Sequence, residues 1–599
     1  MQATSQASGA DRPGEDGTAA ARPGGMREGR PLPYPGLTAA LLGHAAAESA
    51  AAARAALQRG ALWRLSLRGP LPSGLSVVPD ALVPASLERA QDILRGRFTL
   101  DGGIIEPSGC SPFDTTAAPG LRDELHRFGW LGHLEKAGGK TAHFVARALV
   151  EDWIDRFRHV DTPVWAPAVL GPRLVQWAAH FRFLIADHDL IFRSRLLKTM
   201  AEQTRHLART VAAARPGPEA LAAAAALVVM DCALPEGERR SLRAIEALRL
   251  ALGGAVLADG GIVTRSPADQ AEALAAILRA GRALADARRP MPPVLPDAAA
   301  RMRGALAMLR HGDGRLGCFN GSAEGDAAWL ADLLEGETPA DGGFAPHWGY
   351  ARLAAGSSCV LFDTGGPPPG PHAIAAHAAP LAFELSREAA RIVVNGGVAR
   401  RRGPDWAGAA RRTAAHTTLE IAGADAGEVL SGPYAARLGP RLYGGTARGE
   451  CQTAPGGQLA AATHSLYAPR FGAEHRRRLF LDAAGSDLRG EDVVVRRSGR
   501  GRLDVAIRFL LHPDCRATLA QGGDSVLIAP HAGEAWRFRA GLAGSGGRLT
   551  IEPAVYMGGE TVRRTEAIVI RAEAPAPEWT VRWAFAIETP AARPRRRIV

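Results

Sequence analysis

The stretch from Gly349 to Ile421 decides the fold. It reads GYARLAAGSSCVLFDTGG from Gly349, PPPGPHAIAAHAAPLAFELS from Pro367, ARIVVNGG from Ala390 and RTAAHTTLEI from Arg412. Short apolar runs at Cys359 to Phe362, at Leu381, Phe383 and Leu385, and at Ile392 to Val394 are separated by Gly and Pro. That spacing predicts a series of short antiparallel strands. His377, Asn395 and His416 each fall at the edge of one of them, and all three side chains are able to hold a cation or a proton.

Working outward, the chain of 599 residues is long enough for two or three domains and a large core. From about Ala39 to Met308 the pattern is helical. Leu121, Leu125 and Phe128 recur at the spacing of an amphipathic helix, as do Val145, Leu149 and Trp153. One helix start is explicit: Ser266 can cap, Pro267 suits the first turn and Asp269 stands where a capping-box acid belongs. After Arg310 the texture changes. Asp313-Gly314 is a turn signal, and strands dominate to the end. Trp579, Val581, Trp583, Phe585 and Ile587 share one face of a strand, the mark of a sandwich core. The expected organisation is a multidomain α + β chain: a disordered tail over 1–36, a helical domain over 37–310, an antiparallel β-sandwich over 311–590 and a basic tail over 591–599. Consecutive paired helices fit either a toroid or an irregular bundle.

The formal charge of +11 comes almost wholly from arginine, since Lys136, Lys140 and Lys198 are the only lysines. A GC-rich coding bias explains this; so does a surface for acidic polymers, to which Arg offers a planar fork. Cys110, Cys232, Cys318, Cys359, Cys451 and Cys515 are scattered, with no zinc-ribbon or disulfide framework. The apolar stretch after Leu37 is interrupted by His44 and Glu48, so neither a signal peptide nor a transmembrane segment is expected; at face value the chain is cytoplasmic. GDGRLG (Gly312–Gly317) matches a dinucleotide fingerprint but follows a helix and enters a strand. GGKT (Gly138–Thr141) lacks the first glycine of a phosphate loop. There is no nucleophile elbow, no HExxH helix and no nucleic-acid module. Nucleotide and nucleic-acid partners are not expected.

GYARL, HAAPLAFELS, RIVVNGG and AAHTTLEI, followed by FGAEHRRRLFL and LRGEDVV, stand in an order that resembles the C-terminal domain of the heparinase II/III-like family. The resemblance covers roughly Arg95 to Glu588. It implies an N-terminal α/α toroid (an incomplete barrel) before an antiparallel β-sandwich, and a polysaccharide lyase cleaving an acidic, uronate-containing polysaccharide by β-elimination in the periplasm or cell envelope. In that reaction a base takes the proton beside the carboxylate, an acid protonates the leaving oxygen, and a cationic group stabilises the enolate. Compared with the family, Pro218 and Glu219 stand where an Asn-His pair is usual. The DGG turn is present as Asp259, Gly260 and Gly261, but Ile262 replaces a His and Asp269 lies near the position of the catalytic Tyr. No tyrosine occurs between Tyr34 and Tyr350, so the helical half cannot supply one.

On the sheet side His377 matches the second His of a family pair, Ala375 replaces the first, and His372 is a candidate to fill the vacancy. Asn395 takes the place of a metal-binding Asp and His416 matches a later His ligand. His377, Asn395 and His416 are therefore a candidate site for a divalent cation, zinc or calcium, or else buried polar residues that tie strands together. The candidate catalytic groups are His372, His377 and Tyr467. Arg173, Arg265, Tyr350 and Arg352 are candidates to bind substrate, each with packing or a local ion pair as the alternative. Three functions follow in order: the lyase, a catalytically degenerate glycan-binding protein of the same fold, and a glycoside hydrolase on a helical toroid, for which no carboxylate pair stands out. The particular polysaccharide and the oligomeric state are not readable from the chain.

Overall fold

The computed structural model describes residues 36–588 apart from 101–102, 108, 110, 161–162, 236–240, 338–340, 399–403 and 543–545; the tail before residue 36 and the tail 591–599 lie outside the described residues. The helical half is built around the helix Pro218–Ala233, whose residues Ala223 to Ala233 are all buried. A helix apolar on every side must be enclosed. It is surrounded by Pro167–Ala179, Ser241–Ala255 and Pro267–Asp286. Small residues set the closeness of that packing: a Cβ on Gly171 would lie 3.1 Å from the Ala226 Cβ and 3.2 Å from the Ala223 Cα. Ser266 caps Pro267–Asp286 by accepting from the Asp269 amide at 3.5 Å, while the Asp269 carboxylate accepts from the Thr264 hydroxyl at 2.7 Å. Only half of the predicted capping box forms.

The switch from helix to strand falls later than the change in sequence texture at Arg310. Asp326 accepts from the Trp329 amide at 2.8 Å and starts a further helix, Ala327–Leu334. Its Leu330, Leu333 and Leu334 join the core of the helical half. The first strand of the sandwich begins at Gly342.

Two antiparallel sheets follow. The first runs in the order Arg548–Tyr556, Arg563–Ala574, Leu503–Leu511, Ala390–Val394, Phe383–Arg387, Ser358–Asp363, Tyr350–Ala355 and Gly342–Ala345, with Leu419–Ile421 also paired to Leu503–Leu511. The second runs Ala447–Ala454, Gly457–His464, Ala473–Asp482, Asp487–Arg496, Glu578–Ile587, Trp536–Ala540, Ser525–Pro530 and Cys515–Leu519. Trp579, Val581, Trp583 and Phe585 are buried between the sheets as the alternation predicts, and Trp583 stacks on Phe383 with ring centroids 5.5 Å apart.

The first sheet is apolar on both faces. Ala351, Leu353, Val360 and Phe362 point into the sandwich. Tyr350, Cys359 and Leu361 point the other way, against Leu309, Phe319 and Trp348, at the end of the helical half. Period-two alternation therefore delivers every second residue of these strands to the seam between the halves. Among the described residues no helix is long and apolar enough to cross a membrane.

Candidate functional site

The seam is fastened by Arg265, which follows the DGG turn. Its guanidinium donates to the carbonyls of Trp348 (2.7 Å), Gly349 (3.0 Å) and Gly366 (2.6 Å) and pairs with Asp363. Arg265 itself has a φ of 59°, a left-handed conformation that these bonds hold in place. The turn's glycines are required by contact, since a Cβ on Gly261 would fall 2.1 Å from the Trp348 ring and one on Gly260 2.2 Å from the Arg301 carbonyl. Asp259 completes the joint by accepting from the His347 and Trp348 amides, both at 2.8 Å. Tyr350, expected at the substrate, donates its hydroxyl to the Arg265 carbonyl at 2.6 Å and accepts from Asn320 at 2.9 Å. Arg352 donates to the carbonyls of Met308 (3.1 Å) and Arg310 (2.6 Å), satisfying the open end of the helix Val294–Met308. Arg265, Tyr350 and Arg352 are thus brought together, but as fastenings of the two halves.

Arg173 is placed elsewhere. It is fully buried, stacked 4.1 Å over the Trp153 ring, and donates to Gln203 and to the carbonyls of Val164 and His126. It is an internal support of the helical half, beyond reach of a substrate carboxylate. Tyr467 is likewise inside the sandwich core, donating to the Leu419 carbonyl at 2.7 Å. Burial pushes its phenol well above the usual range. As a proton donor to a ligand it is closed off.

His377, Asn395 and His416 do converge, in a particular order. The His416 ring stands in the middle: Nε2 is 3.0 Å from His377 Nδ1 and 3.0 Å from the Ala410 carbonyl, and Nδ1 is 3.3 Å from Asn395 Oδ1. Asn395 cannot turn, because its Oδ1 accepts from the Thr417 amide (3.1 Å) and its Nδ2 donates to Glu384 (3.2 Å). His377 and Asn395 therefore meet opposite edges of one imidazole. Three ligands of one ion must point to one side, so these residues do not fit the zinc or calcium site that the resemblance implies. No group of three or more His, Cys, Asp or Glu side chains that could hold a metal ion occurs among the described residues. Burial lowers His416 to about 4, so it is neutral at physiological pH.

Behind Asn395 lies a carboxylate that reading the sequence missed. Glu384 is fully buried and accepts from the amides of Cys318 (2.9 Å) and Asn395 (3.0 Å) and from His311 Nε2 (2.8 Å). Burial pushes its carboxyl up, but His311, Arg391 and the Cys318 amide outweigh this and hold it below the ordinary value. The available signal was a charged residue inside the apolar run LAFELS.

His372 alone among the candidates is not buried, and it lies where the two halves meet. It is half-buried at the start of the helix Pro218–Ala233, where a Cβ on Gly217 would lie 2.7 Å from its Cε1. Burial lowers its pKa, and Arg215 and Arg441 act in the same direction against Glu219. A neutral imidazole near two guanidinium groups is suited to an anionic ligand. Arg215 and Arg441 were not singled out in the sequence, because they come from two distant segments, and Glu219, four residues after Arg215, was noted only as a departure from the family's Asn-His pair.

This toroid, sandwich and seam define a polysaccharide-lyase fold, and the comparisons agree. Residues 337–584 match the family model described as "Heparinase II/III-like, C-terminal". FtsZ-localized protein C of Caulobacter vibrioides is 34% identical over 540 residues, covering 87% of this chain and 91% of that protein. Among solved structures, heparinase III superposes with a TM-score of 0.67 at 14% identity over 92% of each chain. The heparan sulfate lyase HepC of Pedobacter heparinus gives 0.56 at 16%, over 93% of this chain and 92% of that one. The chain belongs to the heparinase II/III-like family. At such identities the two solved structures speak for the fold alone.

Proposed function

We propose that this chain is a catalytically silent member of its family that binds an acidic polymer at Arg215, His372 and Arg441, where the two halves meet. One observation carries the reading. The sheet-side groups that β-elimination would use, His377 and Tyr467, are both committed to internal hydrogen bonds, and the helical half has no tyrosine to replace them. A general acid or base must reach the proton it transfers. The site keeps charge recognition and is left with His372 as its single accessible imidazole, without the tyrosine that would act as its partner.

The name of the Caulobacter relative supports a role beside FtsZ for this chain as well. It favours a cytoplasmic location over the periplasm. Colocalisation of a fluorescent fusion with FtsZ is the corresponding check.

The test of the binding reading is a panel of uronate polysaccharides scored both for binding and for ultraviolet absorbance of the new double bond. Binding that His372→Ala and Arg441→Ala weaken, without absorbance, is the expected result. Absorbance that depends on His372 would establish the second reading, a lyase with His372 as its base. New reducing ends without absorbance would instead establish a hydrolase.

A further inference from the structure

A cavity of about 430 Å³ lies away from that site, at the end of the first sheet that carries the 388–390 turn, and shares no residue with the groups around Arg265 and His372. It is assembled from the loop between the helices Val294–Met308 and Ala327–Leu334, from the residues following the strands Leu503–Leu511 and Arg548–Tyr556, and from the end of Ser525–Pro530. Six of its charges stand in pairs before any ligand arrives, and Glu560 adds one further carboxylate. Arg391 holds Asp313 at 2.8 Å, Arg315 holds Glu324 at 3.3 Å, and Arg563 holds Asp514 at 2.7 Å. Such a lining is close to balanced and offers no positive field to a sulfated polymer.

What it offers is alternating donors and acceptors. Arg315 and Arg563 each commit a single terminal nitrogen to their carboxylates, Nη1 and Nη2 respectively. Glu324 accepts the Tyr556 hydroxyl and is held at about 2: burial pushes it up, but His512, Arg391 and Tyr556 outweigh that, so it stays an acceptor. His512 Nδ1 faces Asp514, 3.3 Å from its amide and 3.4 Å from its carboxylate, and Nε2 stands 3.8 Å from Glu324. That separation is too long for a direct hydrogen bond and suits a bridging hydroxyl.

We propose that this cavity is a binding site for a neutral saccharide of one or two hexose rings. Vicinal hydroxyls, each both donor and acceptor, satisfy paired guanidinium and carboxylate groups as neither an anion nor a cation does. The volume lies within the range of small-ligand sites.

The experiment is calorimetric titration of the full-length protein with cellobiose and maltose, with glucosamine and a glucuronate disaccharide as charged controls. Binding of a neutral disaccharide is expected, weakened about tenfold or more by His512→Gln, Arg315→Ala or Arg563→Ala. Their thermal melts should be preserved, and His372→Ala should leave this binding intact. The exposed Arg563 guards against a variant that simply fails to fold. Absence of heat with both neutral sugars, preference for a charged control, or binding that all three variants leave unchanged overturns the proposal.

Discussion

Acidification should destabilise this protein through its buried imidazoles, and His416 allows the effect to be worked out. Its native pKa is lowered to about 4 by burial, from an ordinary value of 6.5. Between these values the unfolded chain takes up a proton that the native ring refuses, so stability falls as pH falls from about 6.5 toward 4 and levels off below. At pH 5 the penalty relative to pH 8 is about RT ln(33/1.1), on the order of 2 kcal/mol. His206, also lowered to about 4, and His126, lowered to about 3, both chiefly by burial, act in the same sense. The assay is the melting temperature from pH 8 to pH 5 for the wild type and for His416→Gln, whose amide does not titrate. With the sandwich half unfolding as a unit, at roughly 2–4 °C per kcal/mol, the variant should lose about 4–8 °C less than the wild type over that range. A wild-type melt that does not move, or a variant with the same slope, would refute the view of His416 as a neutral internal strut.

Arg265→Ala leaves Asp363 buried and unpaired and should cost about 3–5 kcal/mol, read as a lower denaturant midpoint and earlier proteolysis between the halves; a shift below 1 kcal/mol would show that the pair does not fasten them. Tyr467→Phe removes one internal hydrogen bond and should cost about 1 kcal/mol while leaving polymer binding unchanged; a large loss of binding would return Tyr467 to the ligand site. Chelation should leave the melting temperature unaltered, and elemental analysis should find no stoichiometric zinc or calcium; a drop abolished by His416→Ala would restore the metal reading.

Much of the architecture was legible in the chain, because binary pattern is a local property. The period of the apolar residues separates helix from strand, the alternation in Trp579 to Phe585 names a sandwich face, and Ser266 marks a helix start before any coordinates exist. The missing toroid tyrosine is also a fact of sequence alone. The later onset of strands was not legible, since Ala327–Leu334 is helical through its contacts with the helical core. Nor did residue type reveal role. Arg173 and Arg265 read alike as substrate-binding cations or structural arginines, and the structure encloses one with Trp153 and Gln203 and the other with backbone carbonyls of the seam. His377, Asn395 and His416 read either as ligands of one ion or as buried polar residues that tie strands together, and only the tertiary structure, by putting His416 between the other two, favours the second. The sequence by itself determined which faces are apolar and which chemistry is missing, because these depend on neighbours along the chain. The tertiary structure decided which polar groups remain free to act, because that depends on carbonyls and carboxylates brought from distant segments to satisfy them.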